Sequence, residues 1–172
     1  MTAETEHRMS DSAGGKDITL LLETRFGRMD GAVPWSRTDL LHRHGSPGAA
    51  LLYAVLFAPE FIEIEGSVFL DGLGPEAPRG WGEVARRLRE DWTSAPDDFR
   101  RFINSFNWVE VPYLFAAEGS DAEYVALAAV LTDAWHTRLL ARFPQRRFNV
   151  RVLPASETGS VIGLGFEELR TG

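Results

Sequence analysis

The sequence predicts a single α+β domain, with N-terminal helices followed by mixed helices and an antiparallel sheet of three to four strands. The strongest indication lies between Glu118 and Glu168, where a capped, mostly apolar helix runs into Pro144 and gives way to two alternating strands. Composition is the second indication. Of 172 residues, 44% are hydrophobic, and 11 Phe, 5 Trp and 3 Tyr supply large rings for one sizeable core.

The chain is expected to begin with a leader and a helix. Residues 1–16 are polar and small, which indicates a disordered leader, so the domain should span residues 17–172. Asp17 can accept hydrogen bonds from the free N–H groups of a first helix. That helix should end at Gly27, which tolerates the left-handed conformation at a helix terminus.

Two further helices are predicted before residue 60. Ser36 and Asp39 have the spacing of a capping box, and the short helix that they open should stop at Gly45. Pro47 suits the first position of the next helix. Because Ala49–Ala58 is a continuous apolar run, we expect this third helix to be buried, with both of its faces covered.

The middle of the chain alternates between strand and helix periods. Ile62 and Ile64 alternate with glutamates, and Gly66 interrupts the pattern, so 61–70 should be a strand with a bulge or tight turn. Two amphipathic helices follow it. Their apolar residues at helical spacing are Trp81, Val84, Leu88 and Trp92 in the first helix, and Phe99, Phe102, Ile103 and Phe106 in the second.

The last third should contain one long helix and most of the sheet. Ser120 and Glu123 form a capping box for the helix, which should end near Phe143 because the next residue is a proline. Residues 147–153 and 160–168 alternate as an antiparallel hairpin.

Two other segments complete the predicted sheet. Residues 61–70 should belong to it, and 108–115 would be a fourth strand, placed at an edge because Pro112 lacks an N–H. Gly163 and Gly165 share one face of the last strand. Close packing of another element against them is favoured over space for a ligand.

Composition excludes several classes of function. The chain has no cysteine, which removes disulfides, thiolate nucleophiles and cysteine-ligated metals and favours the cytoplasm. Its basic residues are almost all arginine, which suggests a bacterium with a GC-rich genome. No apolar run reaches the roughly 20 residues of a membrane-spanning helix.

Charge indicates the kind of partner. The net charge is −7, and residues 61–125 hold thirteen acidic and six basic side chains. This balance argues against nucleic-acid or anionic-membrane binding and favours a basic protein partner. Oligomeric state is left open by these observations.

Three carboxylates form the first candidate site. Glu63 and Glu65 share a strand face, where they could bind a basic partner or, together with Glu110, form an acid/base pair. The favoured alternative is a solvated face on which the glutamates pair with Arg147 and Arg151 of a neighbouring strand.

Histidines form the second candidate site. Asp133 and His136 lie within one turn of the long helix, and His136 adjoins apolar residues that could bury it and shift its titration. A partly buried histidine with its hydrogen bonds satisfied is favoured over a general base. His42 and His44 are two residues apart and therefore point in different directions on a helix, so we expect no metal and no cofactor.

The leading hypothesis is a non-enzymatic protein-interaction domain of accessory, regulatory or toxin-neutralising type that uses the acidic surface of residues 61–125. The alternative is a small-molecule-binding protein or an enzyme with an aromatic-lined pocket, in which His136 acts with Asp133 or Glu110. No catalytic motif of any specificity supports the enzyme.

Overall fold

The computed structural model describes residues 13–27, 36–73, 80–116 and 119–169. Over these residues the chain is α+β, as predicted. The helices described are α1 (Ala13–Phe26), α2 (Arg37–His44), α3 (Pro47–Phe57), α4 (Trp81–Leu88), α5 (Pro96–Asn104), α6 (Asp121–Arg142) and α7 (Ala155–Thr158). The strands described are β1 (Glu60–Ile64), β2 (Ser67–Asp71), β3 (Trp108–Glu110), β4 (Phe148–Leu153) and β5 (Gly163–Glu168).

The helices begin where the sequence places caps. The Oγ atoms of Ser36 and Ser120 accept hydrogen bonds from the N–H groups of Asp39 and Glu123, and both acidic side chains accept in return from the serine N–H groups. Both predicted capping boxes are therefore confirmed. Helix α1 begins at Ala13, before the Asp17 cap that we expected, and residues 1–12 of the predicted leader lie outside the described part.

The first two strands form a hairpin closed by the tightest kind of turn. Glu65 and Gly66 occupy the turn with φ angles of 47° and 75°. Positive φ at both central residues matches the right-handed twist of paired strands. Glycine adopts this conformation freely, whereas Glu65 is strained by its Cβ. The expected tight turn within 61–70 is thus present.

A second, three-stranded antiparallel sheet has the order β3-β5-β4. Helix α6 covers one face of it. The strand residues that pack there are Phe148, Val150, Val152, Leu164 and Phe166, and those of the helix are Ala128, Leu131, Trp135 and Leu139. The predicted hairpin of 147–153 with 160–168 is confirmed by the pairing of β4 with β5.

Two details of the predicted sheet were wrong. Residues 61–70 do not join the three strands, because they pair only with each other in the β1–β2 hairpin. Only residues 108–110 of the segment 108–115 are a strand, since the chain turns into a 3-10 helix over Val111–Leu114. Pro112 fits that helix because it needs no N–H at its first turn.

Strand β2 separates two hydrophobic cores. Val68 and Leu70 face the main core under α6, while Phe69 faces a second core formed with α4 and α5. Alternation of side chains along a strand sends neighbours to opposite sides, and here both sides are apolar. This explains why four consecutive residues, 67–70, are buried.

Asn107 connects the hairpin to the three-stranded sheet. Its side-chain Nδ2 donates to the carbonyl of Val68 at 2.9 Å, and its Oδ1 accepts from the N–H of Leu70 at 3.0 Å. Its own carbonyl accepts from the N–H of Phe166 in β5 at 3.0 Å. The side-chain amide therefore satisfies the backbone groups at the free edge of β2, as a neighbouring strand would.

The second core is built from rings. Trp81, Phe69 and Phe106 contact one another with centroids 5.4 to 6.1 Å apart, and Phe102 packs on Phe106 at 5.4 Å. Trp92 stacks on Phe102 at 5.8 Å, although it lies beyond the end of α4, where we had expected it to belong to the helix. Phe102 and Phe106, two of the apolar residues predicted at helical spacing, are thus packed against other aromatic side chains.

None of the described helices has both the length and the apolar composition that crossing a bilayer requires.

Replacing Asn107 by Ala should lower the free energy of unfolding by about 3 kcal/mol, because it leaves two buried backbone groups of β2 without partners. Chemical denaturation gives this value. Asn104→Ala is the matched control: its amide has no partner within the described residues, and we expect a change below about 0.5 kcal/mol. Equal losses for both variants would contradict the role assigned to Asn107.

Candidate functional site

The two glutamates predicted to bind a basic partner are engaged within the chain. Glu63 pairs with Arg146, whose guanidinium also lies 3.6 Å from Glu168. Glu65 accepts two hydrogen bonds from Arg89, at 2.8 and 3.1 Å. The expected partners, Arg147 and Arg151, are not those of the structure. Because both glutamates have arginine partners, they offer less free negative charge than the sequence suggests.

The third carboxylate lies apart from this pair. Glu110 belongs to β3, in the other sheet, and accepts a hydrogen bond from the Ser160 hydroxyl at 2.8 Å. Glu65 lies in the turn after β1 and so does not share a strand face with Glu63 as expected, and Glu110 belongs to the other sheet. An acid/base pair made of these carboxylates has no support in this geometry.

The histidine that we expected to be buried is exposed. His136 and Asp133 lie on the outer face of α6, whose buried face carries Leu131, Trp135 and Leu139. Among the described residues no hydrogen bond joins His136 to Asp133. The interpretation of His136 as a buried histidine is therefore wrong, since Trp135 rather than His136 occupies the core.

The histidine pair of α2 lies on the surface. His42 and His44 are exposed, and His44 stacks on Phe26 of α1 with centroids 4.4 Å apart. Across the described part of the chain, no group of three or more His, Cys, Asp or Glu side chains is placed to hold a metal ion.

Helix α3 is apolar along its length yet largely exposed. Only Leu56 is buried, so the expectation that both faces are covered was wrong. The Nε1 of Trp135 donates to the carbonyl of Leu56 at 2.7 Å, and Tyr53 packs beside Phe115 at 6.2 Å. These contacts fix one side of α3 against α6 and the 3-10 helix, and leave the other side open.

The open side carries a regular apolar stripe. Gly48, Leu51, Leu52 and Val55 recur at the i, i+3, i+4 and i+7 spacing of a helix–helix contact. Leu51 is 74% exposed, Leu52 68% and Val55 50%. We call these four residues the α3 stripe. The apolar run is evident in the sequence but the stripe is not, because a helix that is apolar all round does not reveal which side is covered.

The face of the three-stranded sheet away from α6 is the other site of interest. Alternation places Trp108, Arg151, Leu153 and Glu167 on it, around the glycines of β5. A Cβ at Gly165 would lie 2.9 Å from the Cβ of Trp108 and 3.0 Å from the Asn107 carbonyl. The glycines therefore allow close packing, which is the interpretation that the sequence favoured.

The chain matches no family model, no curated protein and no solved structure.

Close packing around Gly165 and open space around Gly82 predict opposite effects for the two substitutions by alanine. Gly165→Ala should destabilise the protein by about 2 kcal/mol, because backbone and side chains around the new methyl group must move. Gly82→Ala in α4 meets nothing within 4 Å and should stabilise by about 0.5 kcal/mol through the unfolded state. Thermal unfolding of both variants tests this, and a neutral Gly165→Ala would contradict the packing argument.

An ion pair on the same face predicts a shifted titration. Arg151 donates two hydrogen bonds to Glu157, at 3.0 and 2.7 Å, and these lower the pKa of the Glu157 carboxyl. Because the folded pKa is the depressed one, the stabilisation exists above the unfolded pKa and is lost as pH falls through the folded value. Both side chains are nearly half exposed, so solvent screening keeps this contribution small.

NMR titration of the carboxyl carbons measures this shift directly. In Arg151→Gln, the pKa of Glu157 should return to its ordinary range. The pKa of Glu123, which is lowered by hydrogen bonds from Ser120, should stay where it is in the same variant. A Glu157 pKa that Arg151→Gln leaves unchanged would show that the guanidinium is not its cause.

Proposed function

We propose that this protein is a non-enzymatic protein-interaction domain that docks a partner polypeptide on the α3 stripe. The observation that carries the proposal is the exposure of Leu51, Leu52 and Val55 at helix-packing spacing. The largest apolar patch on a typical soluble monomer covers about 300 to 600 Å² and is often functional. The three side chains together expose roughly 300 Å² of apolar surface.

The stripe has the character of an interface centre. Between Ser46 and Pro59 the chain carries no charged side chain. Depletion of charge distinguishes the centre of an interface from its rim. The backbone below the stripe is also held firmly, since the Leu56 carbonyl is bonded to the buried Trp135. A partner would meet a helix that is already in place and would lose little affinity to ordering it.

The partner that fits this surface is a basic polypeptide with an apolar groove. A stable dimer buries about 800 Å² on each copy, well above what the stripe exposes, whereas a groove can enclose the flanks of α3 as well. The net charge of −7 would make two copies repel each other and would attract a basic partner. Glu63 and Glu65 contribute to this long-range field even though each has an arginine neighbour.

The same observations suggest a cellular role. We infer that the domain has an accessory, regulatory or toxin-neutralising role, because the surface that carries the proposal is one for binding another polypeptide. A bacterial cytoplasm fits a chain that lacks cysteine and uses arginine almost exclusively as its basic residue. An enzyme built on His136 with Asp133 or Glu110 lacks geometric support in the described residues, since these groups lie on an exposed helix face and in a separate sheet.

Substitution of the stripe tests the proposal. The partner polypeptide is first recovered by crosslinking in the native host. It is then purified separately, and calorimetry measures the affinity of its complex with this protein. Val55→Glu should weaken that complex about a hundredfold, roughly 2.7 kcal/mol, by placing an unpaired charge in an apolar contact. Raising the salt concentration should slow association more than it speeds dissociation.

Val125→Glu is the matched control, because Val125 of α6 is 52% exposed and lies outside the stripe. It should leave affinity unchanged, and both variants should keep the wild-type melting temperature. Equal affinity of Val55→Glu and wild type would overturn the proposal. Sedimentation velocity provides a second check, since a wild-type dimer that Val55→Glu dissociates would make a second copy the occupant.

A further inference from the structure

A cleft of about 590 Å³ lies on the sheet face opposite α6. Its volume is within the range of roughly 300 to 1,000 Å³ that is usual for small-molecule sites. Trp108 and Leu153 contribute apolar surface, and Asn104, Asn149, Arg151 and Glu167 contribute polar groups. Leu153 leans over Gly165, where its Cδ1 lies 3.1 Å from the position of an added Cβ, so part of the lining is apolar and firmly packed.

Each charged side chain named at this cleft already has a partner within the chain. Arg151 is held by two hydrogen bonds to Glu157, and Arg101 is paired with Asp98 on its own helix. Glu167 accepts a hydrogen bond from the Nδ2 of Asn149 at 3.0 Å. A charged ligand would have to displace these existing partners before it gained an ion pair. The cleft therefore favours a neutral ligand.

Several hydrogen-bonding groups of the cleft are unused. Within the described residues, the side-chain amide of Asn104, the indole N–H of Trp108 and the Oδ1 of Asn149 have no protein partner. These groups include donors and acceptors and lie beside a half-buried indole ring. The arrangement suits a ligand with an apolar ring face and hydroxyl groups that both donate and accept.

We infer that this cleft binds a neutral sugar ring. The ring packs against Trp108 and Leu153, while its hydroxyl groups bond to the amides of Asn104 and Asn149 and to the free oxygen of Glu167. A free sugar and a unit of a glycan chain present the same chemistry. This site lies on the three-stranded sheet and does not depend on the α3 stripe.

Two-dimensional NMR of the full chain tests this inference, with glucose, N-acetylglucosamine and maltotriose as probes. At least one probe should shift the indole N–H signal of Trp108 and the side-chain amide signals of Asn104 and Asn149 in a saturable manner. The indoles of Trp81 and Trp92 are internal controls, because they donate to Asp71 and to the Arg87 carbonyl. Binding of maltotriose alone would identify a glycan chain as the source.

Variants and charged probes make the test decisive. Asn104→Ala should weaken sugar binding about tenfold, the effect of one lost hydrogen bond, while Gln145→Ala outside the cleft should not. Glucose 6-phosphate should bind no more tightly than glucose. The inference is overturned if none of the three neutral sugars shifts the Trp108 indole, if Asn104→Ala binds like wild type, or if the phosphate ester binds at least tenfold more tightly.

Discussion

The architecture depends on how one amide side chain completes the edge of β2. A two-stranded hairpin is marginally stable by itself, and β2 has apolar cores on both of its sides, so water cannot satisfy its outer edge. Asn107 supplies the missing donor and acceptor, to Val68 and Leu70, while its own carbonyl pairs with β5. The hairpin, the three-stranded sheet and the two cores are held together at this residue.

The position of α3 follows from the same main core. Phe61 of the hairpin packs edge-on against Trp135 and Phe166, and Trp135 bonds to the Leu56 carbonyl. The indole thus joins α6 to the end of α3 through a polar contact inside an apolar environment, where such a contact is worth most. One side of α3 is fixed by this arrangement, and the α3 stripe is exposed as a consequence.

Ion pairing within the chain reduces the negative charge that its acidic residues present at the surface. Among the described residues of segment 61–125, six acidic side chains have arginine partners: Glu63, Glu65, Glu83, Glu90, Asp97 and Asp98. Exposed pairs of this kind contribute little stability, but they reduce the local charge that a partner meets. The acidity is therefore better suited to long-range attraction than to specific contacts, and in the proposed complex specificity would come from the uncharged α3 stripe.

Local signals in the sequence determined most of the elements. Ser36 with Asp39, Ser46 with Pro47, and Ser120 with Glu123 mark three helix starts, because a cap needs only residues within one turn. Alternation from Phe148 to Leu153 and from Gly163 to Glu168 marks the β4–β5 pair for a similar reason. These features depend on short-range hydrogen bonding and on the periodicity of apolar side chains, both of which are determined by neighbouring residues.

Tertiary structure decided the rest. The bond of Asn107 to β2 spans 37 to 39 positions, and no local pattern distinguishes this asparagine from Asn104. The partner of Glu63 is Arg146 rather than Arg147, since the path of the turn after α6 selects it. Burial of Trp135 in place of His136, and exposure of the α3 stripe, depend on which surfaces other elements cover. Sequence by itself determined where helices and strands form, and only packing decided which of their faces remain available for function.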